Sequence, residues 1–408
     1  MDPRLALLSS LAQESDRKLV LLVLDGVGDL RSEAQPETAL DRASLPNLDA
    51  LAARGALGRT VPVGAGITPG SGPGHLALFG YDPLRPEVDI GRGVLEALGS
   101  GLTVRKGDVA VRGNFATADG QGRLTDRRAG RIPTEECRRL VALLNDAVAR
   151  SPVPGLGVEI QAGEGHRFVM LLSGENLSPE VEDTDPQMLG VPPLEPSASK
   201  PEAASTVARL AALMPLLEAA IAAEPKANRL LLRGFSVLPH LPSLADLFGM
   251  RFGAFAGYPL YRGVAGACGM EVVPCGKRIG DLLDAVEAHW SRFDFFFLHV
   301  KQTDQAGEDG DLAAKVAVLE EVDRALPRLL ALGPGVVAVT GDHSTPAPMK
   351  SHSWHPVPVL LWSDVCYRDD TRELSEEAAI HGHLGTFPAR DLLALMLANA
   401  GRLKKFGA

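Results

Sequence analysis

The chain has 408 residues, 45% of them hydrophobic, and a formal net charge of −10. It is too long for one ordinary hydrophobic core, so two domains are expected, and the acidic balance argues against nucleic acid or an anionic membrane as partner. The longest apolar runs are too short to cross a bilayer and no basic, apolar leader opens the chain; Cys137, Cys268, Cys275 and Cys366 fall in no C-x-x-C pattern, so reduced thiols in a cytoplasmic protein are the expectation.

In chain order, the first strong element is the aliphatic run Leu19 to Leu24, which reads as a buried strand and is followed by Asp25-Gly26-Val27-Gly28-Asp29. Residues 64–80 form a Gly/Pro-rich loop running into a short helical pattern. Ser71 falls at or near the start of that helix, where unpaired N–H groups and the helix dipole favour an anion. Alone, such a serine is an ordinary helix cap.

Residues 105–131 then carry Arg105, Lys106, Arg112, Arg123, Arg127, Arg128 and Arg131. Guanidinium forks suit carboxylate and phosphate, although Arg123 and Arg128 read individually as solvated side chains. Residues 155–172 add a Gly-Glu-Gly-His-Arg segment (163–167) ahead of an apolar run. Residues 175–201, rich in Pro, Ser, Asp and Glu, read as a long connecting loop, residues 203–223 as a helix, and residues 229–233 as a strand.

Two more apolar runs end in acids. Residues 293–300 lead into Lys301, Asp304 and Glu308; residues 336–340 lead into Asp342-His343; and His352 precedes the apolar run 356–362. In a parallel sheet these strand ends share one rim, where ligands bind. Asp25, Asp304, Glu308, Asp342, His343 and His352 form a mixed oxygen and nitrogen donor set, and that many carboxylates together argue for two cations. His299, within a Phe-rich run, is expected to be buried support.

Several motifs carry a family resemblance: Gly70-Ser71, His75 to Pro83, Gly91-Arg92-Gly93, Leu95 to Gly99, Arg112 to Thr117, Asp126 to Arg131, and Thr340 to Pro346. In this order they closely resemble the cofactor-independent phosphoglycerate mutases of archaeal type, from about residue 18 to about residue 400. The resemblance implies an α/β fold with an alkaline-phosphatase-like core, a mostly parallel sheet flanked by helices. That core is expected over residues 1–105 and 190–408, with a smaller α+β substrate-binding domain inserted at 106–189. It also implies interconversion of 3-phosphoglycerate and 2-phosphoglycerate through a phosphoserine, without 2,3-bisphosphoglycerate.

By the same resemblance, Ser71 is the nucleophile. One metal is held by Asp25, Ser71, Asp342 and His343, the other by Asp304, the residue at 308, and His352. His75, Arg112, Asp126, Arg127, Arg131, Arg233 and Lys301 are the expected substrate contacts, to a small phosphorylated substrate. Where the family usually has His in its Asp-x-x-Gly-His segment, this chain has Glu308. A carboxylate there favours Mn²⁺ or Mg²⁺, with Zn²⁺ and Co²⁺ as alternatives. Two other readings stay open: a metal-dependent phosphatase of the same superfamily, and a non-catalytic homologue.

Overall fold

The structure, a computed structural model, describes residues 2–407. The chain divides into two compact units, one formed by the residues up to Asp89 together with those from Leu241 onward, the other by Ile90–His240.

The first unit is organised by strand Leu19–Leu24, which has no polar residue and is buried at all six positions. A strand of that composition needs cover on both faces, which an interior position in a helix-flanked sheet supplies. It pairs in parallel with Phe295–Val300 on one side and Val336–Thr340 on the other. The eight-stranded sheet runs Gly385–Pro388, Ala56–Val61, Val357–Ser363, Val336–Thr340, Leu19–Leu24, Phe295–Val300, Phe252–Ala256, Glu271–Val272. Strand Val357–Ser363 is antiparallel to both neighbours, and the other pairings are parallel. The chain from 341 to 356 contains no crossover helix, so it can only return the next strand in the opposite sense.

Helices Pro46–Ala52, Ile279–His289 and Leu312–Ala331 cover one face, burying Leu48, Leu283, Val322 and Leu326 against Leu22, Leu298 and Val339. Each such side chain contributes about 1.5–3 kcal/mol through burial. The three parallel strands are in register, Leu22 opposite both Leu298 and Val339. Their carboxyl ends therefore emerge side by side.

The second unit is an antiparallel sheet centred on Val109–Ala118, which pairs with Arg167–Ser173 on one side and Arg229–Val237 on the other, and near its end with the short Leu124–Asp126. Helices Thr134–Arg150 and Ala204–Ile221 pack on it through Leu140, Leu144, Leu210, Leu213 and Leu217. The segment Pro201–Ile221, at a mean hydropathy of 1.4, is long and apolar enough to span a bilayer, but it lays those leucines into this core. The unit is wider than the insertion expected at 106–189. Arg229–Val237 supplies the backbone partners of the central strand, and Ala204–Ile221 covers its apolar face, so both belong with it. Local sequence pattern marks these elements but not the sheet they join.

Candidate active site

Each strand end of the first unit delivers a functional group. Asp25 follows Leu19–Leu24, Asp304 lies in the first turn of helix Gln302–Asp309, and Asp342 and His343 follow Val336–Thr340. His352 comes from the loop before Val357–Ser363. Donor atoms of Asp25, Asp342 and His343 lie within 4.8 Å of one another, and so do those of Asp304, His343 and His352. His343 belongs to both groups: its Nε2 is 3.3 Å from Asp25 Oδ1 and 3.3 Å from Asp342 Oδ2, and its Nδ1 is 3.9 Å from Asp304 Oδ1. His352 stacks on His343 with ring centroids 3.7 Å apart, its Nε2 3.5 Å from Asp304 Oδ1 and 3.7 Å from Glu308 Oε1. The Glu308 side chain is 53% exposed and stands at the rim.

The turn after the first strand allows this convergence. Gly26 has φ +61°, and a Cβ there would lie 2.4 Å from Thr345 Oγ1 and 2.7 Å from Asp304 Oδ1. Only glycine fits. Thr345 Oγ1 in turn donates to Asp304 Oδ1 at 2.5 Å, and Thr303 Oγ1 donates to the Asp25 carbonyl at 2.5 Å.

The charges are held by named partners. Burial alone would raise the Asp25 carboxyl, but the hydrogen bond from His299 Nε2 (2.9 Å) and the nearby Lys301 ammonium hold it well below the usual range. Burial and the neighbouring Asp25 would raise Asp342 as well; His343 and His75 outweigh them and bring it down. Lys301 Nζ sits 2.5 Å from Asp304 Oδ2 and 3.4 Å from Asp25 Oδ2, and although burial opposes its charge these carboxylates raise its pKa. The cation is thus held between two carboxylates.

Among the described residues, two buried carboxylate oxygens, Asp25 Oδ1 and Asp342 Oδ2, accept no hydrogen bond. Buried acceptors normally find a partner, and both oxygens face His343 Nε2. A divalent cation would satisfy all three atoms, so the donor set fits the metals that the sequence implies.

Ser71 is the first residue of helix Ser71–Leu78, and its Oγ lies 3.3 Å from His343 Nε2. The helix can press against the Asp342 loop because a Cβ at Gly74 would stand only 2.4 Å from the Asp342 carbonyl oxygen. His75, expected to orient phosphate or support the loop, is 1% exposed; its Nδ1 is 2.8 Å from the Ser71 carbonyl oxygen and 3.1 Å from Asp342 Oδ2. It braces the serine turn against the metal-type site. His299 is likewise buried support. His355 and His383 belong to neither donor group: His355 Nδ1 meets Ser353 Oγ, and His383 stacks on Tyr367.

The second unit holds a cavity of about 560 Å³ lined by Arg112, Arg128, Arg131, Arg167, Arg233 and His166, among others. Arg112 is 3.4 Å from Glu96, and Arg233 is 3.4 Å from Asp185. Among the described residues, Arg128, Arg131 and Arg167 have no ion-pair partner, which leaves their guanidinium groups for a ligand. Burial and the flanking arginines lower the His166 pKa.

Asp126, Arg127 and Arg128 are each held differently. The Arg127 fork is engaged by Asp185, with Nε and Nη2 donating to its two oxygens at 2.8 and 2.7 Å, and it does not line the cavity. Arg128, read from sequence as solvated, does. Asp126 accepts from the backbone N–H groups of Arg128 (2.7 Å) and Gly130 (2.8 Å) and so shapes the loop. In that loop Ala129, Gly130 and Arg131 have φ of 48°, 63° and 52°. Left-handed backbone at alanine and arginine costs about 1–2 kcal/mol per residue, and here it aims Arg131 into the cavity. Tyr261, which no sequence pattern marks, also lies at the first unit's site, stacked on His299.

Carboxylates and imidazoles at the edge of an α/β sheet, beside a helix-start serine, form a donor set of the kind that can hold metal ions. Comparison with known proteins narrows the class. Residues 52–226 match the family model described as 2,3-bisphosphoglycerate-independent phosphoglycerate mutase. A protein from Thermus thermophilus named probable 2,3-bisphosphoglycerate-independent phosphoglycerate mutase is 48% identical over 405 residues, 98% of each chain, and one of the same name from Thermotoga neapolitana is 47% identical, again over 98% of each. The solved cofactor-independent phosphoglycerate mutase from Thermoplasma acidophilum superposes with a TM-score of 0.76 at 27% identity, covering 94% of this chain and all of the other. The chain belongs to the 2,3-bisphosphoglycerate-independent phosphoglycerate mutase family, a family of isomerases.

Proposed function

We propose that this protein interconverts 3-phosphoglycerate and 2-phosphoglycerate by transient phosphorylation of Ser71. The observation that carries the reading is Ser71 Oγ at 3.3 Å from His343, the residue shared by both donor groups. Two divalent cations, Mn²⁺ or Mg²⁺, held by Asp25, Ser71, Asp342 and His343 and by Asp304, Glu308 and His352, would supply positive charge against the phosphoryl oxygens and ease loss of the serine proton.

Ser71 Oγ gives up its proton and bonds to phosphorus as the bond from phosphorus to the glycerate oxygen breaks; that oxygen takes a proton. In the return half, the other glycerate hydroxyl loses its proton, attacks the same phosphorus and frees Ser71. No co-reactant is consumed. His75 and His299 keep the Ser71 turn and Asp25 in place. The unpaired Arg128, Arg131 and Arg167, with Arg112 and Arg233, supply the charge that recognises a substrate bearing both carboxylate and phosphate. A phosphatase acting on varied monoesters has no need of a pocket so specialised for a doubly anionic acid.

The test is incubation with 3-phosphoglycerate and Mn²⁺, without 2,3-bisphosphoglycerate, resolving 2-phosphoglycerate from free phosphate. We expect 2-phosphoglycerate as the main product, lost on chelation and in Ser71→Ala, with mass spectrometry finding phosphate on Ser71 in acid-quenched samples. Free phosphate as the main product, or an active Ser71→Ala, overturns the reading.

A further inference from the structure

Tyr261 lies in the first turn of helix Pro259–Ala267 and is 3% exposed. Its ring stacks on His299 with centroids 3.6 Å apart and an interplanar angle of 24°, and it is tilted against His75 at 4.9 Å. These are the imidazoles that hold Asp25 and the Ser71 turn. The Lys301 ammonium stands 5.5 Å from the ring centroid. The far end of the ring lies toward Asp25 and Ser71: burial and the nearby Asp25 carboxylate raise the phenol's pKa, and Ser71 opposes them, so the hydroxyl stays protonated. A phenol placed only to fill space has no reason to end among a serine, an aspartate and a lysine, because its O–H must then find polar partners there.

We propose that Tyr261 is a further catalytic residue: its O–H donates a hydrogen bond to the Ser71 oxygen and stabilises the negative charge on that oxygen as the bond to phosphorus forms or breaks. This rests on Ser71 being the reacting group. Tyr261 keeps its proton throughout and forms no covalent bond. Its contribution is a fixed dipole where charge develops, an effect that does not require the group to reorganise during the reaction. The ring has a separate task, backing His299 and His75, and it orients the hydroxyl by being locked between them.

Tyr261→Phe separates the two, since it retains the ring and removes only the O–H. The Mn²⁺-loaded variant should show kcat reduced on the order of 100-fold. KM, metal content after dialysis and melting temperature should stay at parental values. The rate of Ser71 phosphorylation in a single turnover, read by mass spectrometry, should fall by the same factor as kcat. A Phe variant with parental kcat overturns the proposal and leaves Tyr261 a packing residue. So does a kcat loss that comes with loss of metal, which would mean the hydroxyl acts through Asp25. If the parent releases phosphate instead of forming 2-phosphoglycerate, the mutase reading fails, and the same comparison is made on the rate of phosphate release.

Discussion

Arg127→Ala and Arg131→Ala, two truncations in one basic segment, should fail in opposite ways. Arg127 gives both oxygens of Asp185 a hydrogen bond and a third to the Gln187 carbonyl at 3.2 Å. The Asp185 side chain is fully buried, and burial alone would raise its pKa; the Arg127 hydrogen bonds bring it down. Without Arg127 that carboxylate keeps only Arg233 Nη1 at 3.4 Å and the Gln187 N–H at 2.9 Å. Breaking a buried pair from one side costs about 3–5 kcal/mol; with Arg233 still present and Arg127 partly solvated, about 2–3 kcal/mol is expected. That lowers the melting temperature of the second unit by about 4–12 °C.

Arg131 has no ion-pair partner among the described residues, so its loss strands no buried charge and stability should stay within about 0.5 kcal/mol of the parent. It does lose a charge-assisted contact to substrate worth about 1.5–3 kcal/mol, or about 10–160-fold in kcat/KM. Scanning calorimetry and kcat/KM for 2-phosphoglycerate formation, measured on both variants, decide the matter. If Arg131→Ala melts as early as Arg127→Ala, or if Arg127→Ala keeps its melting temperature while kcat/KM falls, the roles of the two side chains are reversed.

Glu376 lies beside Asp29, accepts from Thr38 Oγ1 at 2.5 Å, and is pushed by burial from its ordinary 4.5 up to about 7. The folded carboxyl therefore keeps its proton where the unfolded one has lost it. Stability should fall by about 3 kcal/mol as pH rises from 4.5 to 7 and stay lower above. Glu376→Gln cannot ionise, so it should unfold at higher denaturant than the parent at pH 8 and near the parental midpoint at pH 4.5; equal shifts at both pH values would refute the account. Glu308→Ala should cost one of two bound metals in elemental analysis of dialysed protein, and Glu308→His should keep both. If the alanine variant retains two metals and full activity, Glu308 is a surface acid.

Residues whose function follows from their place along the chain were legible in the sequence. The aliphatic run from Leu19 could only be a buried strand, because six side chains without a polar break must be covered on both faces. The acids after it and after the two similar runs then had to share one sheet edge, and the glycine- and proline-rich approach to Ser71 announced a helix start. Tertiary structure alone decided which way individual side chains turn and what they meet. Arg127 and Arg128 are neighbours of identical chemistry, and no periodicity operates in a loop. The difference comes from Asp185, 58 residues from Arg127, and from the left-handed backbone at 129–131 that Asp126 helps hold. The reach of the second unit to residue 240 depended on strand pairing across more than a hundred residues. His75 and Tyr261 show the same limit. Helical spacing placed His75 near the serine, but its partner Asp342 arrives from a distant strand, and Tyr261 reads as any core aromatic until His299 is packed against it. Local propensity acts between covalent neighbours, whereas the partner of a buried polar group is chosen by which strands lie adjacent, and adjacency exists only once the sheet has formed.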